Sequence, residues 1–527
     1  MSGGFLHGFE ALYKALEFND EASPEQLDSG IEMAAAAYVL QLRRYSTRIS
    51  DESIPRTFML SLKTLKDIRF PNLYNLIKEL SFLLKGSPEL VLDLNYFLPS
   101  GFDVYCDIGS PNVEFVVIRD SKFSARIEGV SSELPESVPC DFVALRATLN
   151  DSTKTKKLVS ESKGSLASAV LQLLQFEIDN QSDRTSLSSQ ITFKTLQDLS
   201  YKSGKLPPSL YIRSVVRMGE FPIGGGGFSD IWKGQSLSGD IVCLKILRMN
   251  ITPDIEKFLK RCYKEVLVWR MLRNPRVLEF YGVYIVKSQN DVRFGLVSPW
   301  LENGSVMEYI KAHPDFDRMK AIREVVDGLY YLHHSESVVH GDIKGDNIFV
   351  RPDLTCCLGD FGLATSAWSP ALPMKSSSSA GLGSTRWMAP ELLNPKPFEN
   401  DQGSPLASDI YALGCTALEI LTGKVPWSEI QLDTQVLIEV IQGHKPSLPA
   451  DISYDVGWVL EQTWEFWPKK RRGIQWLKPS LEPSFRAPAR PTALQRNKSN
   501  PFQWKLGTTS VTAKNSARTL WRSASKR

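Results

Sequence analysis

From residue 30 to about residue 104, apolar residues recur at the three- and four-residue intervals of a buried helical stripe. Glu32 to Tyr45 is rich in Ala and Leu with this spacing. Pro55 fits the first turn of a second helix, where a missing N–H costs nothing, and that helix carries Phe58, Leu62 and Leu65. Pro71 opens a third with Leu73, Leu76, Ile77, Leu80 and Leu83. Gly86 stops it, and Pro88 opens a fourth with Leu90, Val91, Leu94 and Phe97. The pattern predicts an all-α four-helix module over 30–104. Residues 105–213 are mixed: Val113 to Arg119 has the texture of a strand. Stretches such as Asn150 to Lys157 and Asp179 to Gln190 are polar enough to read as linker. Over 214–475 the chain turns compact, with strand-like apolar runs first and helical patterns after them. Residues 476–527 are Pro-, Ser- and basic-rich without periodicity and read as a disordered tail.

Composition changes this picture little. The 42% apolar residues suffice for large cores, and a net charge of +3 over 527 residues gives no general case for nucleic-acid binding. Charge is unevenly spread, however. Between residues 469 and 527 every charged side chain except Glu482 is Lys or Arg. The seven cysteines have no zinc-ligand or C-x-x-C spacing, which fits reduced thiols of an intracellular protein. Neither a secretory leader nor a run long enough to span a bilayer is expected, so no membrane insertion is expected.

The compact region holds the candidate chemistry. Ile223-Gly-Gly-Gly-Gly-Phe-Ser-Asp-Ile231 places glycines where backbone N–H groups can approach phosphate oxygens. Alone, four glycines are more often just a flexible turn; the apolar flanks and Phe228 at the tip favour a hairpin over a nucleotide. Val242-Cys-Leu-Lys245 sets a lysine in an apolar strand, which is costly unless a carboxylate pairs with it. Glu265, in the amphipathic stretch Ile255 to Leu272, supplies one. His340-Gly-Asp-Ile-Lys-Gly-Asp-Asn347 offers Asp342 to orient and deprotonate a hydroxyl, Lys344 to neutralise a phosphate and Asn347 to hold a cation. Asp360-Phe-Gly362 offers a second cation ligand, ahead of Ala389-Pro-Glu391.

These elements, in this order, resemble the protein-kinase signature set. The resemblance implies an α+β bilobal fold, a small β-rich lobe over a large helical one, and ATP and Mg²⁺ as cofactors. It implies that Ile223, Gly224, Gly225, Gly226, Phe228 and Ile231 cover the ATP, and that Lys245 binds its phosphates and pairs with Glu265. Ser298 would be the small gatekeeper before a hinge of Pro299 to Leu301. Asp342 would be the catalytic base, Lys344 the phosphate cation, and Asn347 and Asp360 the magnesium ligands. Ser384 would brace the catalytic aspartate and Asp409 would anchor the catalytic loop. Lys344, two residues after Asp342, and Gly383-Ser-Thr-Arg-Trp-Met-Ala-Pro-Glu391 are similar to the tyrosine-kinase-like group, which mostly phosphorylates serine and threonine. The implied partner is a protein substrate with Ser or Thr hydroxyls.

The chain departs from that pattern in places. Ser229 replaces the third glycine. Gly341 replaces the arginine that usually meets an activation-loop phosphate, which implies less dependence on that phosphate; Ser376 to Ser379 fit either modification sites or a polar loop. Arg471 and Arg490 both fit the arginine expected to pair with Glu391, and Gly473 to Pro479 replaces the usual closing helix, so that either this helix is missing or the sequence here reflects an altered reading of the gene. Separately, Leu76-Ile-Lys-Glu-Leu-Ser-Phe-Leu-Leu-Lys-Gly-Ser-Pro-Glu-Leu90 through Phe97-Leu-Pro-Ser-Gly-Phe102 resembles a paired amphipathic helix domain of a co-repressor scaffold. Such a domain binds a partner's amphipathic helix, here through Ala37, Leu40, Phe58 and Leu62. That resemblance implies a transcriptional regulator as partner and a nuclear location; without it the expectation is cytoplasmic. An ordinary helical bundle, a non-catalytic kinase-like scaffold and a transcriptional co-regulator are the alternatives.

Overall fold

The computed structural model describes residues 12, 15, 30–63, 79–80, 83–84, 87–94, 97, 103–105, 115–121, 124–129, 135, 137–181, 183–184, 186–212, 215–225, 229–236, 239–248, 255–288, 291–361, 365–366, 382–399 and 403–489. Gly226, Phe228, Ser376 to Ser379 and Arg490 lie outside these, as do Leu73, Leu76 and Ile77. The chain divides into two units, 1–485 and 486–527.

Within the first unit, helices α1 (Gly30–Arg48), α2 (Ile54–Lys63) and α3 (Pro88–Asp93) form where the apolar stripes and the helix-opening prolines place them. Tyr38 ties them together. Its hydroxyl donates to the Leu90 carbonyl at 3.0 Å, and its ring meets Phe58 and Phe97. Phe58 and Leu62, read from sequence as cleft residues, are buried, whereas Leu40 is half exposed. Their burial follows from packing of α2 on α1, which uses the apolar stripe internally. A short antiparallel meander comes next, β1 (Asp103–Tyr105), β2 (Phe115–Ser121) and β3 (Ser124–Gly129).

The region read as partial linker differs most from expectation. It contains α4 (Phe142–Leu149), α5 (Ser152–Glu161), α6 (Gly164–Asn180) and α7 (Leu187–Ser203). Helix α6 is buried on nearly every face from Ser165 to Ile178, as expected of a helix at the centre of a bundle. The polar stretch from Asn150 is an N-capped helix: Asp151 accepts from the Thr153 and Lys154 N–H groups, and Leu158 is its buried contact. A helix that buries one side chain has the composition of a linker, which is why polarity misread it.

The upper lobe of the remaining chain is a sheet in the order β4 (Tyr211–Ile212), β9 (Gly282–Ser288), β10 (Asp291–Pro299), β8 (Ile241–Leu247), β7 (Ser229–Ser236), β5 (Val215–Met218), with β6 (Gly224–Gly225) paired to β7. Strand β4 joins the edge in parallel with β9, so residues before the compact region complete its sheet. Period-two alternation along β8 buries Val242, Leu244 and Ile246 on one face and turns Cys243 and Lys245 to the other. Helix α8 (Ile255–Met271) carries Glu265 and buries Val266 and Trp269.

The lower lobe is helical: α9 (Val306–Ala312), α10 (Arg318–Tyr330), α11 (Pro390–Leu393), α12 (Leu406–Thr422), α13 (Asp433–Ile441), α14 (Tyr454–Thr463) and α15 (Ile474–Ser480). Short strands β11 (Val338–Val339) to β14 (Thr365–Ser366), with β12 (Ile348–Val350) and β13 (Cys356–Leu358) between, bracket the motif loops. The closing helix expected to be missing is present as α15. It packs on α10, buries Ile474 and Leu477, and begins just before residue 476, where the tail was expected to start.

Candidate active site

Register puts the expected residues on one face. Leu296 pairs with Lys245 and Ser298 with Cys243 across β10 and β8, so the buried Ser298 stands beside the Cys243 thiol. Pro299 ends β10 and Leu301 is half buried just beyond it. Ile223 and Ile231 are linked by an N–H···O bond of 2.8 Å, and Gly224 and Gly225 lie opposite Ile231 and Asp230. A Cβ on Gly225 would stand 2.8 Å from the Ser229 carbonyl oxygen, so the hairpin closes only with glycine there.

Lys245 donates to Asp360 Oδ1 at 2.6 Å. Burial works against its charge, but Asp360 first and Glu265 next outweigh that and raise its pKa. Lys245 thus pairs first with Asp360 and feels Glu265 as added charge, rather than standing in the simple pair with Glu265 expected from sequence. An ammonium with three donors can serve both. Asp360 itself has φ 56, a left-handed conformation that non-glycine residues hold only where the surroundings impose it.

Across the site, Asp342 is held between two donors. Lys344 Nζ lies 3.0 Å from its Oδ2, and Asn347 Nδ2 donates to both its carbonyl oxygen at 2.7 Å and its Oδ2 at 2.8 Å. With both amide hydrogens committed, the orientation of Asn347 is set and its remaining polar atom is an oxygen, a donor suited to a hard cation. Lys344 also donates to Ser384 Oγ at 3.1 Å, so Ser384 reaches the aspartate through the lysine. Asn347 and Asp360 fit a Mg²⁺ completed by phosphate oxygens and water, which is how that ion is commonly bound. Among the described residues no group of three or more His, Cys, Asp or Glu side chains forms a cage for a metal.

The loop is fixed from below by buried Asp409. Its carboxylate accepts from the His340 N–H at 2.8 Å, the Gly341 N–H at 2.9 Å and His333 Nε2 at 2.9 Å. Burial opposes its charge, but the His333 bond, with help from the Gly341 N–H, holds its pKa below the usual range. Gly341 has φ 81, so glycine relieves strain where the expected arginine is absent. His340 accepts the Asp342 N–H on Nδ1, which assigns its proton to Nε2, donating to the Gly359 carbonyl at 3.0 Å. Its ring lies 4.8 Å from Phe361, and Phe361 lies 5.7 Å from Trp269 on α8. Aromatic contact therefore runs unbroken from α8 to the loop bearing Asp342.

Two residues here, Arg386 and Glu419, carried no sequence signal. Arg386 donates to Asp433 and to the carbonyls of Pro426, Trp427, Ile430 and Gln431. Arg471, one of the two arginines expected to pair with Glu391, meets it in a forked contact at 2.6 and 3.0 Å; Arg490 lies outside the described residues. Glu419 Oε2 accepts from the Gly345 N–H at 2.9 Å and the Trp387 indole at 3.0 Å, joining catalytic loop to activation segment. Burial pushes its carboxyl from 4.5 up to about 7, against the pull of those two donors. The folded pKa exceeds the unfolded one, so the stability Glu419 contributes is full below about pH 4.5 and lost as pH rises through about 7. Glu419→Gln keeps an acceptor oxygen and removes the titration. The variant is expected to gain on the unaltered protein between about pH 5 and about pH 8 in urea midpoints; parallel pH curves would sink this assignment.

Comparison with known proteins agrees with the geometry. Residues 220–480 match the family model described as protein kinase domain, and the chain carries a protein kinase domain over that span. It is similar to serine/threonine-protein kinase A-Raf of Homo sapiens, 31% identical over 278 residues, which are 50% of this chain and 41% of that protein. The chain thus spans well under half the length of that relative. No described helix is long and apolar enough to cross a membrane.

Proposed function

We propose that the chain is an ATP-dependent protein serine/threonine kinase. The observation that carries this reading is Asp342, fixed between Lys344 and Asn347 on a loop anchored by Asp409, together with the Lys245–Asp360 pair. Asp342 accepts the proton of the attacking hydroxyl, and Lys344 neutralises charge gathering on the transferred phosphoryl group. Lys245, steadied by Glu265, binds the ATP phosphates; Asn347 and Asp360 hold Mg²⁺, which supplies further charge neutralisation. Ile223 to Gly226, Phe228 and Ile231 cover the nucleotide, whose base meets Ser298, Pro299 and Leu301. The name of the human relative and Lys344 in the loop favour serine and threonine over tyrosine. With Gly341 in place of arginine, activity depends little on activation-loop phosphate. Helices α1–α3 are a helix-binding module that brings in a transcriptional regulator in the nucleus. Their support is the paired-amphipathic-helix resemblance, with Leu40 and Leu60 exposed for contact.

The test is transfer from γ-labelled MgATP to a generic basic protein and to the chain itself, followed by phosphoamino-acid analysis. Label on serine or threonine is expected. Label confined to tyrosine, or no transfer by a folded, nucleotide-binding protein, overturns the reading.

A further inference from the structure

The bundle α4–α7 does not stand apart from the kinase domain. Asp179, one residue from the C-terminus of α6, is nearly buried and meets Arg270 at 3.0 Å and Arg273 at 3.4 Å. A carboxylate at a helix C-terminus opposes the helix dipole, so this position needs cations from elsewhere, and the end of α8 supplies them. Elsewhere in the interface, the Tyr201 ring of α7 faces Lys260 Nζ at 5.2 Å and Lys264 Nζ at 5.0 Å, both on α8. These contacts bracket Glu265 along the helix. Arg270 follows Trp269, whose ring reaches Phe361 next to Asp360. The same bundle bears on the lower lobe: burial pushes the Glu336 carboxyl up, and the Tyr331 hydroxyl first and the charge of Arg184, in the α6–α7 turn, second offset part of that. Apolar packing is continuous from Phe142 and Leu171 through Val266 and Leu267 into the lower lobe.

We propose that residues 135–212 are a built-in positioning device for helix α8: Asp179, by gripping Arg270 and Arg273, sets where Glu265 and Trp269 stand and so aligns the Lys245–Asp360 centre. Asp179 is a positioning residue; it touches no reacting atom. Beyond the two lobes that hold the site, this chain lends α8 a third support. Displacing the bundle, by a ligand or a modification at the α6–α8 contact, turns activity down without touching the nucleotide site.

The activity arm of the test rests on the kinase reading, so a second arm does not. In the full chain, Asp179→Asn is expected to lower kcat roughly tenfold with KM for MgATP changed less than about threefold. Hydrogen exchange is expected to quicken across 255–271 and not across 406–422. Asp179→Glu recovers most of both. Should Asp179→Asn loosen the bundle itself, seen as faster exchange across 187–203, Arg270→Gln leaves the bundle's own bonds intact and decides by the same readouts. Unchanged exchange at 255–271, or faster exchange with unchanged kcat, overturns the proposal. If the unaltered chain transfers no phosphate, the kinase reading fails, and exchange at 255–271 still upholds or overturns the support of α8.

Discussion

Asp342→Asn is expected to slow phosphoryl transfer by about a hundred- to ten-thousand-fold, the range lost with a positioned general base. Nucleotide affinity should change little, because Lys245 and Asp360 stand on other elements. The substitution is nearly the same size and leaves a carbonyl oxygen for Lys344 or Asn347 to find. What it removes is the proton acceptor and the charge that Lys344 balances. It also turns an amide N–H₂ toward two donors, so part of the loss comes from disturbed geometry. A steady-state assay with MgADP affinity measured alongside separates these effects. Turnover within a few fold of the unaltered chain, with folding intact, would remove Asp342 from its assigned role.

The largest loss of stability is expected at Arg471. Its side chain is fully buried, forked onto Glu391, and also donates to the carbonyls of Ala407 and Glu465. Removing one partner of such a pair leaves an uncompensated charge, and Arg471→Ala or Glu391→Ala should each cost about 3–5 kcal/mol. The double variant should cost clearly less than the sum, since neither charge is then left alone. Arg471→Lys should restore little, because an ammonium cannot reproduce the fork. Urea unfolding followed by tryptophan emission reads this directly, with Trp464 buried nearby. Additive single losses would mean that the pair is incidental and Arg471 acts through packing alone.

The catalytic arrangement was legible because phosphoryl transfer demands particular polar groups at short spacings. Asp342, Lys344 and Asn347 lie within six residues of one another, and Lys245 announces itself as a charge in an apolar strand. Pairings across long separations were less visible. Asp409 was placed by resemblance, whereas Glu419, Arg386 and the fork of Arg471 onto Glu391 required the fold. Their partners lie tens of residues away, and no local spacing encodes them. The bundle was missed for a different reason. The polar runs around Asn150 and Asp179 drew the eye from the apolar run Leu166 to Ile178 between them, which is the available signal of a buried helix. Asp179 itself read as linker polarity, although its charge is answered by Arg270.

Strand β4 has a consequence for how this protein is made. The upper-lobe sheet takes its edge strand from a segment synthesised before the rest of it, directly after the bundle. As the chain leaves the ribosome, α4–α7 and β4 emerge before α8 and β9, so a bundle folded on emergence would offer them a platform to dock on. A recombinant kinase fragment begun at residue 215 would meet no such platform. Its β9 would lose the cover β4 gives at Val283 and Tyr284, lengthening an open edge on which strands of other molecules can add. Expression boundaries drawn at the family match alone therefore cut through a sheet, and a fragment begun ahead of the bundle keeps it whole.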